Sequence, residues 1–517
     1  MEHLGILTAL IVWPVVVGVF VLLAGRGDTL RSGYMAAAGA AIELVIAMWL
    51  WFGFELSAGF QFVEHTPWIP SLGISYSVGI DGISLLLVLL TVLLTLISIA
   101  ASFTFIGKAR NGFYASLLFL EAGVIGAFVA TDVFLFYVFW EAMLIPMYFL
   151  IGVWGSERRI YATVKFVLFT MVGSLLMLVA ILWAYHYVSV GGARTFDLQA
   201  WYQTDFPASV QLWLFAAFAL AFAIKVPMFP FHTWLPDAHV QAPAAGSVML
   251  AGVLLKLGTY GFFRFAAPLF PEAFAAAQTP IIILAVIGIV YGAVMTLVQT
   301  DVKSLIAYSS VSHLGFVMLG LAALNLIGAT GSLLQQVNHG ISTGALFLIV
   351  GMLYERRHTR AIADYGGLFA TVPLLTIAFL IVMLSSVGLP GTNGFVGEFL
   401  ILLGAFRHSP VAAIIATSGV VLAAGYLLWL VRRVFFGPMT ISGNETIPDL
   451  SRRELATIVP LVALIIWIGV YPRPFLDRIT PAIDAWLRQV KPVELIEQQT
   501  PSPGVFVSGE NPSEREQ

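Results

Sequence analysis

Six ionisable side chains stand inside long apolar runs of this sequence. Glu141 lies in VFWEAMLIPM, Lys225 closes AFAIK, and Lys256 sits in AGVLLKLG. His313 lies in AYSSVSHLGFVML, His339 in LLQQVNHGISTGALFLI, and Glu398 in TNGFVGEFLILL. A bare charge in hydrocarbon is expensive, so an ionisable group at membrane depth is a functional candidate. A group ten residues from the end of a span lies about 15 Å deep, near the bilayer midplane. Two carboxylates, two ammoniums and two imidazoles at that depth have the chemistry of a proton path. Each takes or gives a proton, and burial beside another charge tunes where it does so. Lys225 is the natural switch: beside Glu141 it holds its proton, and apart from it in an apolar site it gives the proton up. His232 and His239 lie in the polar link that follows Pro227 and Pro230, and are candidates for proton entry.

Each position also has a structural reading. Glu141 and a lysine could be an ion pair locking two helices. Lys256 could snorkel. His313 and His339 could be packed, hydrogen-bonded histidines, and Glu398 could satisfy the break in front of it. His232 and His239 could brace a turn. Arg158 and Arg159 read as surface anchors, and Asp301 with Lys303 as a helix-start pair at the membrane surface.

The elements that must position these groups are membrane spans. Of 517 residues 59% are hydrophobic and only 10% charged, and the mean hydropathy is +0.94. That balance defines an all-α polytopic membrane protein. A net charge of −3 argues against a nucleic-acid partner. The absence of cysteine excludes disulfides, thiolate metal sites, iron–sulfur clusters and cysteine nucleophiles. The nine histidines form no short-spaced metal motif, and no dinucleotide fingerprint, P-loop or GxSxG is present. The chain therefore shows no means of holding a nucleotide or redox cofactor.

The N-terminal apolar run reads as a first span rather than a signal peptide, being too long and lacking a basic start. With about 20 residues per span, fourteen segments emerge: 4–24, 33–54, 80–103, 112–130, 133–153, 162–187, 209–230, 245–267, 280–299, 304–324, 330–353, 372–405, 411–436 and 455–472. The seventh is broken by its prolines and the twelfth by GLPGTNG. Broken spans in corresponding places point to inverted repeats. The expected division is 1–110 (three spans), 111–267 (spans four to eight), 268–436 (spans nine to thirteen) and 437–517 (the last span and a polar tail). The tail reads as disordered from Thr500. Loops after odd-numbered spans carry 15 lysines and arginines against 3 after even-numbered spans, the tail excluded (Arg194, Arg264 and Arg407). The positive-inside rule then puts both termini outside.

The stretch KVPMFPFHTWLPDAHVQAPAAGSVMLAGVLLKLGTYGFFR resembles the antiporter-like membrane subunits of respiratory complex I, and within them the M type, counterpart of mitochondrial subunit 4. FYVFWEAMLIPMYFLIG, DVKSLIAYSSVSHLGFV, QQVNHGISTGALFL and GLPGTNGFVGEF match the same family, so the resemblance covers roughly residues 80–435. It implies fourteen transmembrane helices with two inverted five-helix repeats and broken helices seven and twelve. It implies a Glu141–Lys225 ion pair, a central relay at Lys256, axis positions at His313 and His339, and a terminal position at Glu398. A glutamate there, and the short stretch beyond span fourteen, favour the M type over the L type. The implied function is proton translocation in the membrane arm of NADH:quinone oxidoreductase, in a bacterial inner membrane among lipids and neighbouring L- and N-type subunits. NADH, FMN, iron–sulfur clusters and quinone would lie on partner subunits, with no cofactor in this chain. An Mrp-type sodium/proton antiporter subunit and the membrane arm of a related hydrogenase share the motifs and remain open.

Overall fold

The structure, a computed structural model, describes residues 5–24 and 29–490. The tail from Thr500 and Arg26 lie outside the described residues.

In lipid every backbone N–H and C=O must be satisfied within its own segment, so the apolar runs fold as helices. Among the described residues thirteen helices are long and apolar enough to cross a membrane. Helices Pro373–Val387 and Asn393–His408 together form one further, interrupted crossing. The fourteen expected spans are therefore present in order. Large apolar side chains such as Val45, Phe52, Trp213 and Val421 face outward, as a lipid-facing surface requires.

Three departures from the sequence reading matter. Span three is Leu85–Phe105, and is preceded by an antiparallel hairpin of β1 (Gln61–Ile69) and β2 (Ile74–Ile80). Span five, Val133–Trp154, is interrupted at Met143. After span fourteen, Arg452–Val470, the chain forms a further helix, Arg473–Val490. Its buried Phe475, Ile479, Ala482, Ile483 and Trp486 make one apolar stripe, and charged residues cover the rest.

The polar-bearing helices occupy the middle. Span eight, Ala244–Leu269, is wholly buried, and spans ten (Val302–Ala322) and eleven (Leu326–Arg357) nearly so. Span eight widens into π-turns at Leu250–Leu254 and Phe262–Ala266. Such turns shift the backbone bonding and often mark functional sites.

Spans five and ten start alike. Thr131-Asp132-Val133 and Thr300-Asp301-Val302 each end a bend whose aspartate caps the helix, accepting from the backbone N–H groups two and three residues on. Each also pairs with a distant loop in the same pattern. Val133 N bonds Phe196 O and Leu198 N bonds Thr131 O, while Val302 N bonds Arg360 O and Ile362 N bonds Thr300 O. One follows span four and the other span nine, so they lie on opposite faces.

Candidate proton path

Span eight presents Lys256 between its two π-turns, in the centre of the bundle, with no exposed surface. Its ammonium donates to Ala251 O within the first π-turn and lies 2.7 Å from His339 Nδ1 on span eleven. Span eleven is the polar helix of the core. Gln335, Gln336, Asn338, His339, Ser342 and Thr343 are all buried. Gln336 accepts from Thr259, one turn beyond Lys256. The His339 ring is 5.9 Å from that of His313 on span ten. His313 Nδ1 is 2.9 Å from Glu398 Oε1, and Gln335 Nε2 donates to the same oxygen at 3.0 Å. Lys256, His339, His313 and Glu398 thus form one buried row across three spans and the broken twelfth.

The break in span twelve lets Glu398 take that place. Gly388 ends the first half with φ +82°, a left-handed turn favouring glycine. Asn393 starts the second half, where its carbonyl accepts from Asn338 Nδ2 at 2.7 Å. At Gly394 a side chain would collide with Ser385 O. A cavity of about 10 Å³ lies between His313, His339, Asn338, Ser385 and Gly394. That is room for about one water between polar partners.

Lys225 stands apart. It ends helix Ala208–Lys225 and is 1% exposed, yet its Nζ has no hydrogen-bond partner. It lies 5.2 Å from the Trp140 ring centre and 5.8 Å from that of Phe166. Glu141 acts on it electrostatically. The expected ion pair is not formed, however, and no contact within 4.0 Å joins them. Trp140, one residue before Glu141, turns its ring toward the lysine instead.

His232 stays in the link between the two helices, where burial and Lys165 hold its imidazole below its usual range. It packs edge-on against Tyr291. His239 is not in a turn. It lies on helix Trp234–Gln241, wholly buried and stacked 4.6 Å from the Phe347 ring, with neither nitrogen hydrogen-bonded.

Two further readings need correction. Arg264, counted with a loop, is buried in the last turns of span eight and paired with the buried Asp81. Lys303 is not paired with Asp301: it points inward and bonds Ala242 O, while Asp301 pairs with Arg360 at 3.3 Å. The sequence reading also missed Glu43 and Glu121. These wholly buried acids on spans two and four face each other. Both lie within apolar runs, the same signal that marked Glu141. Among the described residues no three His, Asp or Glu side chains converge as a metal site.

Broken helices flanking a buried row of Lys, His and Glu define an ion-translocating membrane protein of the antiporter class. Residues 130–423 match the family described as NADH:quinone oxidoreductase/Mrp antiporter, transmembrane, and the chain belongs to it. It is 46% identical over 467 residues to NADH-quinone oxidoreductase subunit M of Rhodobacter capsulatus, covering 88% of this chain and 90% of that one. Among solved structures it resembles a chain of respiratory complex I from Thermus thermophilus, with a TM-score of 0.86 and 35% identity, covering 94% and 100%. A chain of the Mrp complex from Dietzia sp. DQ12-45-1b shares the fold, with a TM-score of 0.80 and 22% identity over 94% and 100%.

Proposed function

We infer that the chain is a proton-translocating membrane-arm subunit of NADH:quinone oxidoreductase, of the M type. The observation that carries this is the continuous buried row Lys256–His339–His313–Glu398, whose members are close enough to exchange protons directly or through one water. The 46% identity to a subunit M supports the redox-linked reading, whereas the likeness to the Mrp complex rests on fold alone.

In this reading the subunit is a translocase component without a redox centre of its own. NADH, FMN, iron–sulfur clusters and quinone belong to partner subunits, and L- and N-type subunits flank it in the bacterial inner membrane, with both termini outside. Residues 111–267 and 268–436 act as two inverted repeats. The matching Thr-Asp-Val caps at the starts of spans five and ten support that division. Glu141, Lys225 and Lys256 belong to the first repeat, and His313, His339 and Glu398 to the second.

Moving one charge against 100 mV costs about 2.3 kcal/mol. A change of one to two pK units, at about 1.4 kcal/mol each, is of that size. Rearranging one buried pair therefore suffices for one proton step. The experiment is NADH-driven proton pumping in membranes carrying Lys256→Ala, with assembly checked in parallel. An assembled complex whose pumping is lost supports the row; unimpaired pumping removes it.

A further inference from the structure

Spans two (Arg31–Gly53), three and fourteen part beside span eleven and leave a groove of about 360 Å³, every lining residue of which is apolar. Its walls run from Trp51 to Leu44, from Leu86 to Leu93 and from Ile468 to Pro460. At about 1.5 Å per residue each wall covers about 10–12 Å, so the groove occupies one half of a hydrocarbon core about 30 Å thick. Its floor is Val337 and Ile341, which bracket Asn338 and His339 on span eleven. Its rim faces lipid: Trp49, Phe52, Val459 and Val470 are exposed.

The mouth of the groove, at the ends of spans two and fourteen, is built differently. Phe475, in the first turn of helix Arg473–Val490, meets Trp51 at 5.4 Å and Trp467 at 5.1 Å between ring centres. One turn on, the Arg478 guanidinium lies 3.7 Å from the Trp51 ring centre. Its Nη1 donates to Pro474 O at 2.8 Å and its Nη2 to Trp51 O at 3.1 Å, while Nε is buried with no acceptor. Both engaged acceptors are neutral carbonyls. The other two arginines of this helix, Arg473 and Arg488, pair with Asp477 and Asp484. Among the described residues no carboxylate is in ion-pair contact with Arg478, so it carries the uncompensated charge of the helix.

We propose that the groove is a phospholipid site: one acyl chain lies between spans two and fourteen against span eleven, and the headgroup phosphate meets the Arg478 guanidinium. An apolar hollow within a bilayer offers water no polar partners. Left empty, its walls lose their van der Waals contacts, so a hydrocarbon chain fills it. A transmembrane helix of a neighbouring subunit would run through both leaflets, whereas the groove serves only one. A guanidinium with no anion beside it complements a phosphate in charge and in donor geometry. The tryptophans at its level mark the membrane–water boundary, where a headgroup lies. A chain seated here packs behind the turn that carries His339. The site does not depend on the proton-translocating reading.

The test uses the intact purified complex in phosphatidylcholine vesicles that contain a phosphatidylglycerol with a diazirine in its acyl chain. Light expels nitrogen, the carbene inserts into the nearest side chain, and peptide mapping locates it. The same chain on a diacylglycerol, which lacks the phosphate, is the companion probe. Ala463→Trp fills the groove from the exposed wall of span fourteen. Arg478→Gln removes the charge at the mouth. Val421, exposed on span thirteen, reports ordinary surrounding lipid. Assembly and NADH oxidation are checked for each variant.

The expected result is phosphatidylglycerol label at Met48 and Leu464 severalfold above that at Val421, and severalfold weaker in Ala463→Trp. In Arg478→Gln it should fall to the level given by diacylglycerol. Label at Met48 and Leu464 no denser than at Val421 overturns the site, and its absence there would mean that another subunit covers the groove. Full label in Ala463→Trp also overturns it. Should Ala463→Trp fail to assemble, Arg478→Gln decides. Undiminished phosphatidylglycerol label in that variant, or equal label from diacylglycerol in the parent, overturns the phospholipid assignment.

Discussion

Lys256 Nζ and His339 Nδ1 stand 2.7 Å apart with no carboxylate in contact with either. At that distance one nitrogen must donate and the other accept, so the pair favours holding a single shared proton over two. His339 Nε2, buried and unbonded, is directed elsewhere. Replacing His339 by Leu removes the acceptor and leaves Lys256 with Ala251 O alone. NADH-driven pumping in His339→Leu should fall on the order of tenfold or more, the usual cost of losing a positioned proton-transfer group. Pumping near the parental rate would mean protons bypass this histidine.

Glu398 terminates the row through His313 and Gln335. Glu398→Gln retains size and an acceptor oxygen but not the carboxylate that meets His313 Nδ1. Assembly should persist while pumping drops, because Asn393, Asn338 and Gly388 hold the break without the carboxylate. An assembled complex with full pumping would remove Glu398 from the path.

Lys225 is buried among aromatic rings without a hydrogen-bond partner. A buried amine without a hydrogen-bond partner opposes stability, and removing it relieves that cost. Lys225→Met should therefore leave the thermal unfolding midpoint of the purified complex unchanged or raise it, while NADH oxidation and pumping both fall. A lowered midpoint with retained pumping would identify Lys225 as a structural lysine.

Arg264 and Asp81 present the opposite case. Both are buried, and each charge is compensated by the other. Arg264→Ala leaves Asp81 alone and should destabilise the fold by about 3–5 kcal/mol. The measurable result is loss of the assembled subunit from membranes, and Asp81→Asn in the same chain should restore part of it. Normal assembly of the single variant would contradict this.

Asp132 carries a pH dependence. Burial, partly offset by bonds from the Leu135, Ser75 and Phe134 N–H groups and reinforced by Asp197, pushes its carboxyl from 3.8 up to about 6. An acid with a raised folded value binds more protons when folded. Its contribution to stability is thus complete below the unfolded value and fades as pH rises through the folded one. Between about pH 4 and about pH 6 the parental unfolding midpoint should fall more steeply than that of Asp132→Asn, which keeps the capping oxygen. Parallel slopes would exclude the effect.

Hydropathy alone determined the fourteen crossings, because lipid forces each apolar run of about 20 residues into a helix whatever its neighbours. The breaks before His232 and at Gly388 were legible too, since proline and glycine act through local backbone geometry. So were the six mid-span groups, since depth follows from position along a helix. Contact was not legible, because which faces of two helices meet depends on packing across the whole bundle. Tertiary structure joined Lys256 to His339 and His313 to Glu398, and held Glu141 off Lys225. It also turned Lys303 inward to Ala242, buried Arg264 against Asp81, and set Glu43 against Glu121. Each of these pairs links segments distant in sequence, so their partners are fixed only once the helices have chosen their neighbours.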